Sequence, residues 1–150
     1  MEKEEKVIKI IKKSYLAAIK NSIGVKTYRN FYAKIENKEF DTLKNGGLSC
    51  AYFVSSILVM FRRLKKIHMT VDNTEKDLIK SGFREIDKPK IGSILVWEGK
   101  KFGSEIHKHI GFYVGGSEAI SNSSEKKSPQ KHHFTFGSTR KIEKIYYKKF

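Results

Sequence analysis

After Pro89 the chain breaks into three short runs, IGSILVWE (91–98), HIGFYVGG (109–116) and EAISNSS (118–124), rich in β-branched and aromatic residues and divided by glycines. Residues of this kind fit a pleated, half-buried surface, and the spacing predicts an antiparallel meander. The first half of the chain follows another period. Val7, Ile8, Ile11, Tyr15, Ala18 and Ile19 recur at helical spacing, which predicts an amphipathic helix over the first 20 residues, ended near Gly24. A less regular aromatic segment follows, closing in a turn at Asn45-Gly46-Gly47.

A second helix is expected to open near Ser49, with Phe53, Val54, Ile57, Leu58 and Phe61 on one stripe and the basic RRLKK at its carboxyl end. NTEKDLIKSG predicts a third, capped by Asn73 or Thr74 and ended by Gly82. Helices first and strands after define an α+β domain, with a helix packed across one face of a small sheet. At 150 residues the chain matches one domain. SNSSEKKSPQK (121–131) reads as a polar loop.

The amino-terminal lysines leave no apolar run of the kind a secretory signal needs, and no stretch approaches a membrane span, so the location is open, with the cytoplasm as the default unless another route exports the chain. A single cysteine excludes an internal disulfide. Thirty-one Lys and Arg against sixteen Asp and Glu leave a net charge of +15, a field that attracts polyanions such as nucleic acid, anionic lipid or an anionic wall. These basic residues run from Lys3 to Lys149 with no accompanying nucleic-acid motif.

The one thiol, Cys50, falls in the first turn of the second helix, where unpaired N–H groups and the positive end of the helix dipole favour thiolate and can hold an oxyanion. A buried packing role is the plain alternative. Its candidate base is His109, because strand alternation puts His109, Gly111 and Tyr113 on one face and the core-like Ile110, Phe112 and Val114 on the other. His107 shares the His109 face, but no Cys or acidic cluster stands at ligand spacing, so neither a metal nor another cofactor is expected.

Taken in order, NGGLSCAYFVSSIL, KPKIGSILVWE and HIGFYVGGSEAISNSS resemble the blocks of the NlpC/P60-type cysteine peptidases over roughly residues 45–124. That resemblance implies a papain-like α+β fold, with Cys50 as nucleophile and His109 as base. It divides the chain into an N-terminal helical part (1–44), a catalytic core (45–124) and a C-terminal strand region (125–150). The family's Asp-Cys-Ser-Gly is here Ser49-Cys50-Ala51-Tyr52, and its Pro-Gly-Asp is Ile91-Gly92-Ser93. Both departures place the chain outside the typical wall hydrolases.

Alignment with the family puts the third catalytic position on Ser121. A two-residue turn at Gly115-Gly116 would instead set Asn122 directly across from His109, its amide oxygen accepting the imidazole N–H. His132 and His133 stand in reserve. Tyr52, Trp97 and Ser121 are the expected substrate-binding residues, with the Tyr52 hydroxyl assisting an oxyanion. The expected activity is a Cys-His-Asn thiol hydrolase acting on an amide, which the resemblance implies is in a peptidoglycan stem peptide or related peptide. The alternative is a basic binding module for nucleic acid or another polyanion on a peptidase-like scaffold.

Overall fold

A computed structural model describes residues 3–150. Its architecture is α+β. Three helices, α1 (Ile11–Asn21), α2 (Cys50–Met60) and α3 (Val71–Lys80), accompany an antiparallel sheet of β3 (Arg84–Glu85), β4 (Ile94–Phe102), β5 (Glu105–Gly115), β6 (Glu118–Ser123), β7 (Ser128–His133) and β8 (Ile142–Tyr147). The sheet order is β3-β8-β4-β5-β6-β7. A separate hairpin pairs β1 (Tyr32–Ile35) with β2 (Lys38–Asp41) through a turn at Glu36 and Asn37, both at positive φ. Among the described residues no helix is long and apolar enough to cross a membrane.

One face of the sheet carries the main core. Helix α2 lies across β5 and β6, burying Ala51, Phe53, Val54, Ile57 and Leu58 against Ile94, Val96, Ile110, Phe112 and Ile120. Helix α1 docks beside it through Tyr15 and Ile19, and the Tyr15 hydroxyl donates to the Gly92 carbonyl at 2.9 Å. It begins at Ile11, later than its periodicity predicts. Val7 and Ile8 are 85% and 75% exposed, so they find no surface to bury on, and tertiary burial rather than propensity decides where a short helix starts. Helix α3 starts earlier than expected: Thr70 caps it by accepting from the Asn73 N–H, which lets Val71, Thr74 and Leu78 face the core.

The opposite face of the sheet is also covered. Leu95, Trp97, Ala119 and Ile145 form a second, smaller core beneath residues 134–141, a strap that brings Phe134 and Phe136 down onto them. The stretch read from sequence as a polar loop contains the end of β6, a turn and the start of β7. Strand β8 inserts between β3 and β4, so the last strand of the chain lies inside the sheet, while β7 forms its edge.

Candidate active site

Cys50 is the first residue of α2, held there by the turn before it. The Asp41 carboxylate accepts from the main-chain N–H groups of Phe31 and Leu43, both at 3.0 Å, and of Asn45 at 2.7 Å. Gly46 follows with φ +93°, and a Cβ there would meet the Lys127 main chain and side chain at 2.8 Å. Only glycine permits both that conformation and that approach. The Gly46 carbonyl in turn accepts from Asn122 Nδ2 at 2.8 Å, tying β6 to the entry of α2.

Strand β5 meets this helix start edge on. The β5–β6 ladder stops at the Gly111–Ser121 pair, and beyond it the Ile110 main-chain N–H acts on the Cys50 sulfur, favouring its thiolate against burial. The N–H groups of Cys50 and Ala51 bear on the same sulfur. Cys50, His109, Ser121, His132, Phe136 and Arg140 all line one cavity of about 820 Å³.

The register of the β5–β6 hairpin decides which residue meets the imidazole. The turn is made by Gly116 and Ser117, both at positive φ, and a bulge falls between Tyr113 and Gly115. Gly111 therefore pairs with Ser121, where the expected Gly115-Gly116 turn would have set Asn122 against His109. A shift of one residue turns every side chain to the other face of a strand. Ser121 consequently shares the His109 face, its Oγ 2.8 Å from His109 Nε2, while Asn122 points to the helix side and serves Gly46. Asn122 is thus not the imidazole's partner.

A further histidine completes a chain of contacts. Ser121 Oγ is also 2.7 Å from His132 Nε2, and His132 Nδ1 is 2.8 Å from the His133 carbonyl oxygen. Strand β7 sets this up by pairing His132 with Ala119, which puts the imidazole on the same face as Ser121. Phe136 stacks on the His132 ring with centroids 3.9 Å apart. The His133 side chain turns outward to Thr135, and only its carbonyl belongs to the chain of contacts.

Burial dominates the electrostatics. It pushes the His109 imidazole down to about 3, with the positive charge of Arg140 and the nearby His132 acting in the same direction. Burial also lowers His132 and raises the Cys50 thiol, the latter against the opposing pull of the Ile110 N–H, the helix-start N–H groups and Arg140. Both shifts favour the neutral forms of thiol and imidazole, so the helix dipole does not win the contest that sequence alone suggested. Arg140 is fixed by donating from Nε to the Glu98 carbonyl at 2.8 Å and from Nη2 to the His107 carbonyl at 2.9 Å. Among the described residues it has no carboxylate within ion-pair distance.

Two expected cleft residues lie elsewhere. Trp97 is fully buried under the strap, donating from Nε1 to the Phe134 carbonyl at 2.8 Å, with its ring 5.3 Å from that of His109. It backs the imidazole instead of facing a ligand. Tyr52 follows Cys50 around the helix to the far side, packing against Tyr28 and Phe31 at 6.3 and 5.7 Å, and does not line the cavity. Arg140 carried no signal in the sequence, because a strap residue between Thr139 and Lys141 looks like any other surface cation. No protein-family model matches the chain, and no curated protein is significantly similar to it.

Proposed function

We propose that the protein is a thiol hydrolase of the NlpC/P60-like, papain-like kind, cleaving an amide bond with Cys50 as nucleophile, His109 as base and Ser121 in the orienting position. The observation that carries this reading is the hydrogen bond between His109 Nε2 and Ser121 Oγ in the cavity that also receives Cys50. An imidazole held at one nitrogen keeps the other free to take a proton, and a general base needs that free nitrogen within reach of the thiol.

In the reaction, His109 Nδ1 takes the Sγ proton as the sulfur attacks the substrate carbonyl carbon. The negative oxygen that forms is met by the unpaired N–H groups of the first turn of α2. The imidazolium returns its proton to the departing amine, leaving a thioester, and water activated by the same imidazole then releases the acid and the free thiol. Arg140, without a carboxylate partner of its own, favours substrates that carry one. A peptidoglycan stem peptide or a related acidic peptide has that character, and the +15 surface suits an anionic surrounding.

The decisive experiment compares wild type with Cys50→Ser on stem-peptide fragments and generic acidic peptides, following new amine ends. Wild type should turn over, and Cys50→Ser should keep its fold and lose turnover, since an alcohol is a much poorer nucleophile here. Retained turnover in Cys50→Ser would end the thiol mechanism. Absence of turnover in wild type alongside salt-sensitive polyanion binding would favour the basic-module alternative.

A further inference from the structure

The contacts around Ser121 fix more than distance; they fix where each proton sits. The His133 carbonyl has no proton to give, so at 2.8 Å the N–H of that contact belongs to His132 Nδ1. A neutral imidazole carries one N–H, which leaves His132 Nε2 as an acceptor. Ser121 must then spend its only hydroxyl proton on His132 Nε2 at 2.7 Å. Its oxygen is left to accept at 2.8 Å from His109 Nε2, which places the single His109 proton there. His109 Nδ1 keeps a lone pair, and among the described residues it makes no other hydrogen bond.

We propose that His132 is a positioning residue, the far end of a relay running His133 C=O, His132, Ser121, His109, which locks His109 in the Nε2–H tautomer and so makes Nδ1 the acceptor for the Cys50 proton. Direct orienting groups act on a base in one step. Here the residue next to the base is a hydroxyl, which by itself can point either way, and the direction is imposed from two groups further along. The stack of Phe136 on His132 and the Trp97 ring 5.6 Å away hold the second imidazole in place.

The same logic gives the relay a second setting. A proton added to His132 Nε2 turns that contact around, so Ser121 accepts from His132 and donates to His109 Nε2. The His109 proton then moves to Nδ1, the position where it no longer serves as a base. The charged and titratable groups around His132 are His133 and Lys131 on its own strand, Glu118 paired with Lys131 across from β6, His109 on β5 and Arg140 on the strap.

The test reads the tautomer directly, by long-range nitrogen–proton NMR of ¹⁵N-histidine-labelled full-length protein at neutral pH, and needs no substrate. Wild type should show His109 as the Nε2–H form alone. His132→Phe, which keeps the ring stacked on Phe136, and Ser121→Ala should each give a mixture of the two forms. His132→Gln, whose amide oxygen can accept the same proton, should restore the single form. The hydrolysis rate should follow, with kcat falling roughly tenfold to a thousandfold for His132→Phe at little change in KM, as when a base loses its tautomer control. Wild-type His109 in the Nδ1–H form, or a His132→Phe variant that folds and keeps the single Nε2–H form, would overturn the proposal. Should His132→Phe not fold, an unmixed Nε2–H form in Ser121→Ala would overturn it equally. The proposal rests on His109 being the base, and the two fail differently: a correct tautomer without turnover sinks the hydrolase reading, and a wrong tautomer sinks the relay.

Discussion

Gly111 is the position at which one methyl group should do the most damage. It stands opposite Ser121, and a Cβ there would lie 2.7 Å from Ser121 Cβ, 2.9 Å from the Ile120 carbonyl oxygen and 3.1 Å from the Trp97 ring. None of the three yields easily, since one is main chain, one is held between two imidazoles, and the ring is pinned by its bond to Phe134. Gly111 is not at positive φ, so alanine there pays no torsional penalty, and the stiffer unfolded chain returns about 0.4–1 kcal/mol. Overpacking costs about 1–3 kcal/mol, and rigid neighbours put this site toward the upper end. The net expectation for Gly111→Ala is a loss of about 2 kcal/mol, which for a chain of this size lowers Tm by roughly 4–8 °C. Because the displaced group is Ser121, kcat should fall about a hundredfold, as for a misplacement of about an ångström in a catalytic array. Urea unfolding and calorimetry measure the first effect and peptide turnover the second. In the double variant Gly111→Ala with Ser121→Gly the stability loss should shrink, with a coupling above about 0.5 kcal/mol. A Gly111→Ala protein within about 0.5 kcal/mol of wild type and fully active would refute the idea that close approach at this pair seats Ser121.

Three further outcomes are expected. Iodoacetamide alkylation of Cys50 followed against pH should inflect above the range of a free thiol, because burial raises the group; an inflection below about 8.5 would mean that a resting ion pair forms after all. Asn122→Ala should cost about 1 kcal/mol through the lost bond to Gly46 and leave the pH profile of turnover unchanged, whereas Ser121→Ala should cut kcat; the reverse pattern would place Asn122 on the imidazole. Stability should fall on acidification in two stages. His109 and His132, lowered by burial from an ordinary 6.5, bind fewer protons folded than unfolded, so stability is lost as pH drops below about 6.5. Asp77 is raised by burial but lowered further by its hydrogen bonds from His68, Ser81, Lys66 and Lys65, so its contribution is present above its ordinary 3.8 and lost beneath it. Denaturant midpoints that stay flat from pH 7 to pH 3 would contradict both stages.

The parts of this molecule that sequence revealed are those in which a local pattern and the tertiary fold agree. The stripe of Phe53, Val54, Ile57 and Leu58 is buried as its period implies, and in the strand at 109–114 Ile110, Phe112 and Val114 join the main core as read, with Tyr113 on the opposite face. The family alignment points to Ser121 as the residue beside His109, whereas the hairpin count chooses Asn122, because the register turns on one bulge between Tyr113 and Gly115 and a bulge has no obligatory residue signature. Hairpin β1–β2 was missed because it buries little: Tyr32, Ile35 and Phe40 are exposed, so no core-facing alternation marks it. His132 and Arg140 reach the site only through the register of β7 and the path of the strap. Both are set by contacts between segments far apart in the chain, beyond the range of any local period.

The burial of Trp97 behind His109 has a practical result. It is the only tryptophan in the chain, and Cys50 is the only thiol. Its indole contacts the strap through Phe134 and Phe136 and lies against both imidazoles, so its emission reports lifting of the strap and charging of the histidines without any added dye. A thiol-reactive acceptor on Cys50, which opens the helix packed on the other face of the sheet, would turn that intrinsic signal into a ruler across the site. Wild-type protein therefore supplies both ends of an optical measurement, and no background residue of either type has to be removed first.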